Sequence, residues 1–317
     1  MGIARLAQES PQVRERASVQ YYALPTRSAL NREASRRMPF AWTLNPYRGC
    51  EFGCKYCYAR YTHEFMELGN GLDFERKIYA KRGVPELLRA ELRQARDKGL
   101  PIALGTATDP YQPAEKQFVI TRGILQAIEE FEGLDLSITT KSVLIVRDLD
   151  LFGALVRRHR LSVHMTVTTL DAHLARLLEP KAPPPLKRLE AVCALAEAGI
   201  RVGINAAPIL PGLTDSPRSL EALARAAAAH GARFLFGNVL FLMPSAMAQF
   251  MPFLETEFPQ LVRRYRKLYE RSAYLSGKYK EEIATLVAEL RVRYGLDGKH
   301  GESAVAACHR QFALPFA

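Results

Sequence analysis

Cys50, Cys54 and Cys57 fall within eight consecutive residues of NPYRGCEFGCKYCYARY, residues 45–61. A thiolate is a strong nucleophile and a soft metal ligand, and three at this spacing can converge on one inorganic centre. A structural zinc site calls for four protein ligands, and His63, six residues after Cys57, could complete a Cys3His set. A cubane [4Fe–4S] cluster also takes four ligands, so three cysteines would leave one iron open to an exogenous molecule. Two more cysteines complete the chain's five. Cys193, in EAVCALAEA, falls at a packed mid-helix position, and Cys308 lies near the C-terminus. An odd count does not suggest a disulfide framework, and a cytoplasmic, reducing location is expected.

Such a centre needs a rigid scaffold. AWTLNPY (41–47) reads as a short strand leading into the cysteine loop. After it the periodicity switches repeatedly. Helical patterns cover 84–96, 121–132, 147–159, 185–199 and 216–231, and strand patterns cover 101–108, 134–142, 161–170, 200–210 and 232–240. Pro85 suits a first helical turn, Gly199 a C-terminal cap and Ser216 an N-terminal cap. Roughly six β/α units between residues 40 and 240 demand a parallel sheet with right-handed crossovers. Either a doubly wound sheet or an incomplete barrel satisfies that count. In both, ligands sit at the C-terminal ends of the strands. This divides the chain into an N-terminal arm (1–39), an α/β domain (40–245) and a basic helical C-terminal extension with a tail (246–317). No run of eighteen apolar residues suggests a membrane span, and the N-terminus lacks the apolar core of a secretory signal.

The Cys50-x3-Cys54-x2-Cys57 pattern, with Tyr56 before the last cysteine, resembles the signature of the radical S-adenosylmethionine (SAM) enzymes. NPYRGCEFGCKYCYAR, GTATDPYQPAEKQFVITRGIL, ITTKS, LEPKAPPPLKRLEAV and GINAAPILPGLTD further resemble, in order and spacing, the spore photoproduct lyase-like branch, also called DNA repair photolyase-like. The resemblance implies a partial (β/α)6 TIM-type barrel. It implies a [4Fe–4S] cluster on the three cysteines, whose open iron takes the amino and carboxylate groups of SAM. Reductive cleavage of SAM to a 5′-deoxyadenosyl radical is the implied chemistry. Tyr56 would pack near the adenine. Thr108 and Lys141 would reach the methionine moiety, and Thr166 the ribose or methionine. Ala207 and Ile209 would border the adenine. Asn205 points away from the face of Ala206 and is the more distinctive polar candidate on that strand. Asp109, Tyr111, Gln112 and Glu115, following a strand, are expected to line the barrel mouth, the first two as catalytic candidates. Glu179 and Arg188 flank PKAPPPLK and could pair to hold that loop near SAM. In one respect the chain departs from the branch. Thr106 stands where spore photoproduct lyase has the cysteine that returns hydrogen to the product radical, and a threonine O–H is a poor hydrogen-atom donor.

The formal charge is +11. Residues 1–40 hold seven arginines against three glutamates, and residues 261–293 hold nine lysines and arginines against four glutamates. Such an excess favours polyanions, so nucleic acid is a candidate partner. The resemblance adds an electron donor such as a flavodoxin or ferredoxin. Two other readings stand beside it. One is a radical SAM enzyme modifying a peptide or small metabolite. The other is a non-enzymatic iron–sulfur or zinc protein that binds nucleic acid.

Overall fold

The computed structural model describes residues 2–16, 18–35, 38–69, 71–94 and 101–298. The chain opens with α1 (Ile3–Glu9) and three short strands, β1 (Gln12–Arg16), β2 (Val19–Ala23) and β3 (Leu30–Arg32). β4 (Trp42–Leu44) and β5 (Tyr47–Arg48) lead into the cysteine loop, which passes through α2 (Tyr61–Glu64) and α3 (Asp73–Arg76) to β6 (Lys77–Ala80). Strands and helices then alternate: α4 (Val84–Gln94), β7 (Pro101–Leu104), α5 (Glu115–Phe118), α6 (Ile120–Glu129), β8 (Asp135–Thr140), α7 (Leu149–Arg158), β9 (Arg160–Thr166), α8 (Ala172–Leu178), α9 (Pro185–Glu197), β10 (Arg201–Ile209), α10 (Pro217–Ala229) and β11 (Leu235–Val239). α11 (Pro244–Glu257), α12 (Val262–Leu268) and α13 (Lys278–Arg293) follow.

The main sheet has the order β11-β10-β9-β8-β7-β4-β3. Its strands run parallel from β4 to β11, and β3 pairs antiparallel on the β4 edge. Alternation decides which face is which. Leu136, Ile138, Leu161, Val163, Met165, Val202 and Ile204 are buried. Their neighbours Ser137, Thr139, Ser162, His164 and Asn205 are only half-buried and share the opposite face. The aliphatic face is therefore the core, and on the polar face Phe234 packs against His164. Local signals read from the sequence are realised. Gly199 takes φ +78° just past α9, and Ser216 accepts the Ser219 N–H at 3.1 Å to cap α10. Cys193 is buried on α9 and is disulfide-bonded, which the odd cysteine count does not suggest.

Three points differ from expectation. The first 39 residues are more than an arm, since β1 and β2 join β6 and β5 in a second sheet of order β1-β2-β6-β5. β2 pairs parallel with β6, more than fifty residues on, and no local periodicity announces so distant a partner. The strand patterns at 101–108 and 161–170 stop early, at Leu104 and Thr166. Beyond those points the backbone bends and leaves the strand conformation. Among the described residues the C-terminal region holds three α-helices, and the first of them, α11, starts at Pro244, inside the expected α/β domain, with Pro252 in its interior. Among the described residues, no helix is long and apolar enough to cross a membrane. Cys308 and the tail after Gly298 lie outside the described residues.

Candidate functional site

The cysteine loop leaves β5 at the C-terminal edge of the main sheet. Gly49 sits at φ +81°, and a Cβ there would come within 2.8 Å of the carbonyl oxygens of Phe74 and Lys77. Only glycine lets the chain enter so tightly. The Cys50 N–H donates to the Phe74 carbonyl at 2.9 Å, and the Lys55 N–H to the Leu178 carbonyl at 2.9 Å, so both ends of the loop are tied down. Arg60 is buried and donates to the Cys54 carbonyl at 3.1 Å and the Gly71 carbonyl at 2.8 Å. It also pairs with Glu75 at 2.7 Å, so it braces the loop from within. Cys50, Cys54 and Cys57 are free, the first two buried. Burial raises all three thiol pKa values, Cys54 to about 12, and for Cys50 the charges of Asp109 and the other two sulfurs add to it.

His63 does not complete a zinc set. Its Nε2 lies 3.0 Å from the Lys77 carbonyl, and its ring packs edge-on against Phe74 and Tyr79. Among the described residues, no three His, Cys, Asp or Glu side chains are arranged to hold a single metal ion.

The segment after β7 clamps the loop. Thr108 Oγ1 donates to the Gly49 carbonyl at 2.6 Å and accepts from Gln112 Nε2 at 2.9 Å. Gln112 Oε1 accepts the Glu51 N–H at 3.0 Å. Asp109 is buried. One oxygen accepts from the Tyr111 N–H at 2.9 Å and from Thr140 Oγ1 at 2.7 Å, and the other accepts the Lys141 N–H at 2.7 Å. Burial pushes its carboxyl pKa up, and these hydrogen bonds oppose that.

Lys141 therefore stands at the end of β8 with its backbone fixed. Its ammonium lies 5.7 Å from the centroid of the Tyr56 ring. Burial opposes its charge, yet Cys54 and Glu179 outweigh burial and raise its pKa. The Tyr56 hydroxyl donates to Glu179, which pairs with Arg188 at 2.5 Å. Arg188 donates onward to the carbonyls of Pro183 at 2.7 Å and Thr166 at 3.1 Å. Desolvation favours neutral Glu179, but Arg188 and Lys141 hold its pKa low. The expected Glu179–Arg188 pair is thus present, fully buried, and it ties Tyr56 to the end of β9.

The remaining candidates divide. Thr166 is buried at the end of β9, paired in register with Asn205 on β10. Asn205 is half-buried, and its side-chain oxygen, shielded from solvent, has no hydrogen-bond partner. Ala207 is half-buried two residues on, whereas Ile209 is buried. Tyr111, Gln112 and Glu115 do not face the barrel mouth as expected. All three are wholly buried, and Glu115 is engaged by Tyr47, Thr121, Arg122 and Arg147. They follow a strand, but Gln112 bonds the Gly49 and Glu51 backbone and Glu115 accepts from the Tyr47 hydroxyl. Thr106 is partly buried, and its hydroxyl accepts from Asn45 Nδ2 at 3.1 Å. Asn45 Oδ1 accepts the Ala107 N–H at 2.8 Å, and the Tyr58 hydroxyl donates to the Thr106 carbonyl. Neither Asn45 nor Tyr58 was anticipated as a site residue, though both lie within the quoted cysteine stretch.

A protein-family profile described as "Radical SAM superfamily" matches residues 44–227. An uncharacterized protein of Mycobacterium tuberculosis (strain ATCC 25618 / H37Rv) is 38% identical over 283 residues, spanning 89% of this chain and 83% of the relative. An uncharacterized protein of Methanocaldococcus jannaschii is 33% identical over 174 residues, 55% of this chain and 62% of the relative. In fold, the chain is similar to a mutant spore photoproduct lyase solved with dinucleoside spore photoproduct. The TM-score is 0.62 at 15% identity, covering 85% of this chain and 78% of that one.

Proposed function

The chain belongs to the radical SAM superfamily, and we propose that it is an enzyme of that class which holds a [4Fe–4S] cluster on Cys50, Cys54 and Cys57, binds SAM beside it and acts on nucleic acid. The six parallel strands from β4 to β11 are read as a partial (β/α)6 barrel, with the helices after residue 245 as its extension. In a cubane each cysteine binds a different iron, so the three sulfurs need not gather at single-ion spacing. The three cysteines would bind as thiolates and release their protons on taking up the cluster. Bound together, cluster and SAM supply one-electron reductive cleavage of the SAM C5′–S bond and a carbon radical able to abstract hydrogen.

The observation that carries this reading is Lys141. A cation anchored through its backbone by Asp109, favoured by the buried Glu179 carboxylate and set over Tyr56, is poised for a carboxylate at the edge of the cysteine loop. Thr166 and the unpartnered Asn205 oxygen offer polar contacts for ribose or amine across the same opening. The Glu179–Arg188 pair keeps Tyr56 oriented. Thr108 and Asp109 act in this reading by positioning the loop and Lys141. A flavodoxin- or ferredoxin-like donor would deliver the electron. The test is anaerobic reconstitution with iron, sulfide, SAM and reductant. 5′-Deoxyadenosine should form. Its absence from cluster-replete protein with SAM bound would overturn the reading.

A further inference from the structure

Buried Lys81 and half-buried Arg48 share one face of the second sheet, and among the described residues neither has an acidic partner. In the antiparallel β5–β6 pair, Arg48 is opposite Tyr79, and the Lys81 N–H reaches the Pro46 carbonyl at 3.1 Å. Side chains alternate, so Arg48 and Lys81 share one face as diagonal neighbours. Lys81 is only 7% exposed, and the Arg48 Nε is buried without a hydrogen-bond partner. Among the described residues, no carboxylate pairs with either cation. Burial, with the charge of Arg48 beside it, holds the Lys81 ammonium down at about 7. Two like charges withdrawn from water without a counterion are costly, and a bound anion offsets that cost.

An aromatic row starts beside these cations. Arg48 is close enough to Tyr61 to influence its hydroxyl. Tyr61 stacks with Tyr58 at 6.5 Å, Tyr58 packs on Phe241 at 5.2 Å, and Phe241 stacks with Tyr274 at 5.2 Å. Tyr274 is 60% exposed and Tyr58 37%, too much ring surface in water for core packing alone. Tyr58 directly follows Cys57, so the row begins at the rim of the candidate site. Tyr274 continues the exposed basic segment that holds Arg266, Lys267 and Arg271. Glu33 is the carboxylate that influences both Tyr58 and Tyr61.

We propose that Arg48 and Lys81 seat a backbone phosphate while Tyr61, Tyr58, Phe241 and Tyr274 stack unpaired bases, making this row the platform that leads a nucleic-acid strand to the site. The inference rests on the nucleic-acid reading above and adds to it a surface and a strand state. Aromatic stacking favours unpaired bases, because every base presents a π-face once it leaves the duplex.

The test is fluorescence anisotropy of a labelled single-stranded oligonucleotide with cluster-reconstituted protein under anaerobic conditions. Wild type should bind the single strand more tightly than the matching duplex. Tyr274→Ala, at an exposed position, should weaken binding by about fivefold or more. Lys81→Gln should lower the slope of log affinity against log salt by about 0.7, the loss of one phosphate on a single strand, and Lys81→Arg should restore it. Wild-type binding with unchanged Tyr274→Ala and Lys81→Gln affinities would overturn the platform and leave the nucleic-acid reading standing. Equal or tighter binding of duplex would do the same. No binding of any nucleic acid at low salt, or displacement only by an acidic peptide, would overturn both.

Discussion

The carboxylate of Asp109, at the end of the β7 turn, accepts the backbone N–H of Lys141, at the end of β8, at 2.7 Å. Its other oxygen is shared by the Thr140 hydroxyl and the Tyr111 N–H. With both oxygens committed, Asp109 is a positioning residue that locks two strand ends together. Asp109→Asn would turn an NH2 group toward one of these donors. The expected cost is about 1–3 kcal/mol of stability, with weaker SAM binding and unchanged iron and sulfide content. Normal SAM affinity in Asp109→Asn protein would show that the lock does not govern Lys141.

Lys141 itself should be more sensitive. Lys141→Ala removes a charge-assisted contact, a loss of about 1.5–3 kcal/mol or roughly 10- to 150-fold in SAM affinity. Equilibrium dialysis with cluster-replete protein measures it. Lys141→Arg keeps the charge but replaces a compact ammonium with a planar fork, so only partial recovery is expected.

Replacing any one of Cys50, Cys54 or Cys57 by alanine should abolish stable cluster binding. Wild type should contain about four irons and four acid-labile sulfides per chain after reconstitution. Recovery of one zinc and no sulfide from wild-type protein would sink the assignment.

His63 and His164 give a pH signature. Burial lowers both from 6.5 to about 4, and for His164 the nearby Arg201 adds to it. Between those values the unfolded chain binds protons that the folded chain refuses. Stability from these groups is therefore intact above about pH 6.5 and is lost as pH falls toward 4. For the fully buried His63 the loss is about 3 kcal/mol. His63→Phe suits the ring's aromatic surroundings and should flatten the acid limb of a Tm-against-pH curve relative to wild type. Parallel curves for the two proteins would contradict the buried-neutral assignment.

The cysteine loop and the β/α alternation were legible because both are local: one is a spacing, the other a change of period. The capping roles of Gly199 and Ser216 were legible for the same reason. The second sheet was not, because β2 finds β6 across the whole cysteine loop. Nor were the duties of Gln112 and Glu115. A polar residue after a strand reads as a ligand contact, and only the three-dimensional path reveals that Gln112 grips the Glu51 and Gly49 backbone instead. The Arg48–Lys81 pair was equally hidden, since its meaning lies in a carboxylate that, among the described residues, neither has.

Thr106 bears on the hydrogen that must end the radical reaction. It stands where the resemblance to spore photoproduct lyase expects a cysteine, and its hydroxyl is held by Asn45. An O–H bond gives up a hydrogen atom far less readily than a thiol, so wild type should convert spore photoproduct to thymines poorly. SAM cleavage does not depend on that donor, so 5′-deoxyadenosine should form with little repaired product. Thr106→Cys should raise the repaired yield relative to the 5′-deoxyadenosine formed. Product analysis by chromatography with a dinucleoside substrate reads both quantities. High repair by wild type would overturn the donor argument and move the question to Cys308. Failure of both proteins to alter the lesion would rule it out as the substrate, while leaving binding of an unpaired strand to be judged by its own measurement.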